Sequence, residues 1–270
     1  MTHLKRVSFL VAGSLLVAAP HLSPAKAQAF DDLDPYVSFS AGASFLRDSD
    51  NDGAFVGDFE TGEGTTIAAG TILPDGTPVG WTTEFDTGYA LAAAAGVTLL
   101  PNIRGELEIA FQSNNVETHN GVVAGGIPLA GEDAAVLITG ASALGISVGD
   151  LVADGQGSVD TLFVMANGYY DFGDESWYLR PYVGAGIGIG FVDVDYSPSN
   201  TVIVDDDQTA FAYQAMAGVT AQVSPMIDVF GGYRYRATTD VETDVSLFNA
   251  SLDIENEAHI LEGGIRFKFN

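Results

Sequence analysis

Asp48-Ser49-Asp50-Asn51-Asp52-Gly53 sets oxygen-bearing side chains at alternate positions and ends on glycine, the way a calcium loop of the EF-hand kind begins. In that register Asp48, Asp50 and Asp52 take the first, third and fifth positions and Gly53 the sixth. The twelfth, where a bidentate acid belongs, is Phe59, so Asp58 or Glu60 would have to complete the sphere. No helical pattern flanks the stretch. Two readings stand side by side: a loose Ca2+ site built from Asp48, Asp50, Asp52, Asp58 and Glu60, or a solvated acidic loop tip. No other cofactor is expected.

Nucleophilic catalysis has little to work with. Past residue 30 the chain carries only His119 and His259 and no cysteine. A hydrolase of the serine type needs a serine, a histidine and an acid in register. His259 has Glu257 and Glu262 nearby in sequence, but no serine in a recognisable nucleophile setting accompanies it. The expected role of His259 is a polar anchor at an interface. A lipid-modifying enzyme is kept only as a minor alternative.

The third chemistry is ion pairing. Arg104, Glu106, Glu108 and Gln112 fall at even positions of one segment, while Ile103, Leu107, Ile109 and Phe111 take the odd ones. Further on, Asp228, Arg234 and Arg236 oppose Ile227, Val229, Tyr233 and Tyr235, and Glu262, Arg266 and Lys268 oppose Leu261, Ile265, Phe267 and Phe269. A period of two with charge on one face and apolar bulk on the other is the pattern of a strand with lipid outside and a polar interior. A soluble, lipocalin-like barrel would reverse the faces.

Eight such strands are expected, at about 35–47, 84–99, 103–113, 158–172, 180–195, 209–223, 227–238 and 257–269. Their connections alternate long and short, with the long ones at 48–83, 114–157, 196–208 and 239–256. Long loops at one end and short turns at the other predict an all-β, eight-stranded, antiparallel up-and-down transmembrane barrel, with four long external loops and three short periplasmic turns. Eight strands leave an interior that side chains just fill, and an unpaired charge there is costly. Arg104, Glu106, Glu108, Asp228, Arg234, Arg236, Glu262 and Arg266 are therefore expected to form an ion-pair network in a filled lumen. Ala90, Ala92, Ala94, Gly184, Gly186 and Gly188 could leave gaps for water, which keeps a small-solute or ion-conducting porin as the alternative. Loop two (114–157) is expected to carry a short helix near 134–152 at the membrane surface, or strand extensions above it. Asp205-Asp206-Asp207 reads as a solvated turn.

Residues 1–27 have a basic start, an apolar stretch and small-residue cleavage sites, the layout of a secretory signal peptide, with cleavage possible to 29. One domain, 28–270, would remain. It keeps 7 basic residues against 36 acidic ones, a formal charge of −29 in place of −26, so nucleic acid is not an expected partner.

Pro181-Tyr182-Val183-Gly184-Ala185-Gly186-Ile187-Gly188, Phe211 to Val219, Gly232-Tyr233-Arg234-Tyr235 and the closing Gly263 to Phe269 resemble the opacity-type surface antigens, outer-membrane barrels related in architecture to the OmpA membrane domain. The resemblance runs along essentially the whole mature chain. It implies a bacterial outer-membrane protein in contact with outer-membrane lipid and with the barrel-assembly machinery during biogenesis; a monomer is expected. Its variable loops would meet a surface ligand. With no nucleophile setting and a filled lumen, the expected role is non-enzymatic, structural or surface-interaction. Such chains commonly end on an aromatic residue, whereas here Asn270 follows Phe269.

Overall fold

The computed structural model describes residues 34–153, 155–173, 177–198, 204–239, 241–245 and 250–269. The expected signal peptide and Asn270 lie outside them. Among the described residues fifteen strands follow one another: β1 (Asp34–Leu46), β2 (Ser49–Phe55), β3 (Phe59–Glu60), β4 (Ile72–Leu73), β5 (Pro78–Phe85), β6 (Gly88–Leu100), β7 (Ile103–Ala124), β8 (Ile127–Pro128), β9 (Gly157–Asp171), β10 (Leu179–Tyr196), β11 (Val204–Ser224), β12 (Ile227–Thr238), β13 (Val241–Val245), β14 (Ala250–Ile254) and β15 (Glu257–Lys268).

β1, β6, β7, β9, β10, β11, β12 and β15 pair antiparallel in that order. The ring closes where β1 meets β15, from Tyr36 opposite Lys268 to Leu46 opposite Ala258, so this sheet has no free edge. Alternation along β7 shows why it forms: Glu106 and Glu108 are 8 % and 3 % exposed, Leu107 between them 70 %. Ile187 and Leu261 extend the same apolar exterior. Toward the long-loop end the belt finishes in rings: Phe45 lies opposite His259, His259 opposite Tyr235, and the Tyr235 and Tyr213 rings are 6.3 Å apart. At the other end Tyr170 meets Phe172 edge-on at 5.0 Å. An apolar band edged by aromatics is the exterior of a membrane-spanning barrel.

The long connections are less loop-like than expected. β7 runs on to Ala124, and β10 and β11 stay paired up to Tyr196 opposite Val204, so Asp205-Asp206-Asp207 lies within a strand and not in a turn. β2 pairs with β5 and β14, β5 with the upper part of β7, and β14 with β13, which runs beside β11. The barrel thus continues outward as a second tier. Its polarity is inverted: Val79, Trp81, Leu252 and Ile254 point in and are buried, while Asp50 and Asp52 point out. That is the pattern of a soluble barrel, and it suits a part that meets water. At the tip, Gly125 and Gly126 (φ 56° and 77°) form the two-residue turn joining Ala124 to Ile127; a left-handed pair of this kind favours glycine.

Loop two does not lie on the membrane surface. Its 3-10 turn Ala134–Leu137 and short helix Val148–Val152 bury Val136, Leu137, Val148 and Val152 in one apolar cluster with inward side chains of both tiers, and so plug the outer tier from within.

Candidate functional site

The lumen of the membrane tier is built by strand parity. All eight residues expected to line it are there, and the structure sorts them into three groups. In the middle, Glu108 accepts from Arg234 Nη1 at 2.7 and 2.9 Å and from Arg236 Nη2 at 2.9 Å. Gln214 joins the pair: its Oε1 accepts from both guanidinium groups at 2.9 Å, and its Nε2 donates to Asn167 at 2.7 Å. Arg234 also donates to Glu262 at 3.0 Å, whose other oxygen accepts from Ser40.

Nearer the short turns, Arg104 grips Asp171 through two bonds of 2.6 and 2.9 Å, with its Nη1 3.4 Å from Glu106. Its guanidinium stacks 4.5 Å from the Tyr169 ring, a cation–π contact. At that mouth Asp228 meets Lys268 at 3.0 Å, Arg266 at 3.5 Å and Arg180 at 3.8 Å. Asp171 and Arg180 were missed by the sequence reading because each stands at a strand end, where alternation has few neighbours to be read against. Asn167 and Gln214 were legible: both hold inward positions of expected strands.

The glycines expected to open the lumen do the opposite. A Cβ at Gly184 would fall 2.4 Å from the Tyr169 ring, and one at Gly186 2.0 Å from the Asn167 side chain, so larger residues on the neighbouring strand already occupy that space. Ala92 and Ala94 line a cavity of about 20 Å3 beside Glu106, Glu108 and Arg234. That is room for about one water.

The acids of the opening motif are not brought together. Asp48 lies between β1 and β2, and Asp50 and Asp52 project from the outer face of β2, where Asp50 accepts from Thr82 at 2.9 Å. Asp58 accepts from the Asp75 amide at 3.1 Å, and Glu60 is exposed on β3. Among the described residues no three histidines or acids gather in a way that could hold a metal. Every-second spacing serves a curled loop; along β2 it sets Asp50 and Asp52 about 6.6 Å apart on an open face, with Asp58 and Glu60 held on other elements. The histidines are apart as well. A bulge in β7 turns His119 into the outer tier, where its Nδ1 lies 2.8 Å from Thr83 Oγ1. His259 sits on the outside, 2.6 Å from the Tyr233 hydroxyl.

Two loop acids organise the outer tier. Glu132, on loop two, accepts from the Thr66 amide at 2.8 Å, the Ile67 amide at 3.2 Å and the Thr66 hydroxyl, which fastens the β3–β4 hairpin to the plug. The Thr66 bonds hold its carboxyl below the usual range. Asp133 accepts from the amides of Ala135, Leu144 and Gly145 at 3.0, 2.8 and 2.7 Å, and these bonds lower its pKa in the same way.

No curated protein is similar enough to match. Among solved structures, Neisserial surface protein A is 16 % identical over 86 % of this chain and 97 % of its own, with a TM-score of 0.41. OprG of Pseudomonas aeruginosa is 12 % identical over 88 % and 96 %, TM-score 0.49, and the protease OmpT of Escherichia coli 11 % over 87 % and 97 %, TM-score 0.38. At such identities and scores these likenesses say nothing of what this chain does. A family model described as surface antigen matches residues 83–265, more than half of the sequence and every strand of the membrane ring but β1, and the chain belongs to that family.

Proposed function

We propose that this protein is a non-conducting, non-enzymatic barrel of the bacterial outer membrane whose work is done by its outer tier, as a surface-interaction or structural protein. The observation that carries this is the closed lumen: a cross-linked set of arginines and acids around a cavity of about one water, beneath an apolar plug. The apolar belt with Leu107, Ile187 and Leu261 fits contact with lipid, and the acidic exterior of the outer tier fits solvent and a non-nucleic-acid partner. The β1–β15 seam closes the membrane ring and leaves it no free edge, which fits a monomer.

Swelling of liposomes in isotonic sugars tests the reading. Vesicles carrying the refolded protein are expected to swell no faster than empty ones; swelling that rises with protein content would make it a porin.

A further inference from the structure

We propose that an apolar pocket on the outer tier binds a narrow hydrocarbon group, the end of an unbranched alkyl chain. The pocket, of about 70 Å3, lies between the β3–β4 hairpin and loop two, lined by Phe59, Ile67, Leu73, Ile127, Leu129 and Val136 among others. Two features give its ligand class. Its threonines are already engaged, since the hydroxyls of Thr61 and Thr71 both donate to the Ala68 carbonyl at 3.1 and 2.7 Å. A buried water needs two to four polar partners, so a pocket of this kind stays dry and gains by taking an apolar group. The volume sets the shape: an engineered cavity of about 150 Å3 holds benzene, and roughly half of that admits a chain end or a xenon atom but not a ring.

The pocket is reached from outside. Ile127, 53 % exposed, and the exposed Thr71 both line it, so a chain can enter while its remainder stays at the surface. One wall is the β3–β4 hairpin, whose strands pair only with each other and whose turn Glu132 ties to loop two through Thr66 and Ile67. The proposal adds a ligand class to the surface-interaction reading and does not require a closed lumen, so either can fail without the other.

The test uses the full mature protein in lipid nanodiscs, since detergent would itself supply hydrocarbon, with methyl NMR of Ile67, Leu73 and Ile127. Xenon and hexane are expected to shift these three signals saturably. The shifts should weaken at least tenfold in apparent affinity in Thr71→Asp, which puts a charge at the exposed mouth, and vanish in Ala124→Leu, which fills the floor. A fatty acid spin-labelled at its chain end separates the sources. Broadening of the Ile127 signal by this probe assigns the site to acyl chains, and response to hexane alone assigns it to free small hydrocarbons. No shift with xenon or hexane in the folded protein, or shifts unchanged in Thr71→Asp and Ala124→Leu alike, would overturn the proposal.

Discussion

Glu108 holds the lumen together, because Arg234, Arg236, Gln214 and Asn167 all donate to it. Glu108→Ala leaves two buried guanidinium groups short of their anion, and losing one partner of a buried pair costs about 3–5 kcal/mol. Urea titration of the refolded protein in lipid is expected to show a loss in that range; Arg234→Ala should show a similar one, and a loss under about 0.5 kcal/mol would mean a wet lumen. Alternation along the third, seventh and eighth expected strands was enough to put all eight network residues on one face. It could not say that Glu108 serves two arginines or that Asp228 stands apart with Lys268, because pairing depends on register between strands distant in sequence. The aspartates of β2 were legible only in part, as their spacing fits a curled loop and a strand equally well.

At the scale of elements, β7 crosses both tiers, and the same face changes meaning along it. Leu107→Arg, in the lipid belt, should cost about 2–4 kcal/mol. Glu117→Arg, exposed on the same strand above the belt, should stay within about 0.5 kcal/mol, which paired urea melts in lipid would check. Equal costs would mean that the belt does not end where the rings of Tyr213, Tyr235 and His259 place it. The β3–β4 hairpin depends on a different device. Because its bonds to Thr66 and Ile67 hold the Glu132 carboxyl below its ordinary value near 4.3, the latch is fully present above that value and is lost as pH falls through the lower folded one. Amide protection at Thr66 and Ile67, corrected for intrinsic exchange, is expected to collapse once pH falls below the ordinary carboxylate range, while that of β1 and β15 persists. In Glu132→Gln the protection should be low at every pH. The outer strands were harder to read than the membrane ones. Segments such as Asp50-Asn51-Asp52-Gly53 have poor strand propensity, and their partners, Leu252 opposite Gly53 for instance, lie far along the chain.

The whole molecule is a closed membrane barrel that continues outward, on some of its strands, as a second tier of opposite polarity. Where lipid surrounds the sheet, charge is inside and must be paired; where water surrounds it, acids move outside and the interior becomes an apolar core around loop two. Closing the lumen at two levels is the consequence, and single-channel recording in a planar bilayer tests it most directly. The wild-type protein is expected to give no defined conductance steps under applied voltage, and Glu108→Ala, if it opens anything, only brief and irregular ones because the plug remains. Regular, long-lived steps of one size from the refolded wild type would contradict the account.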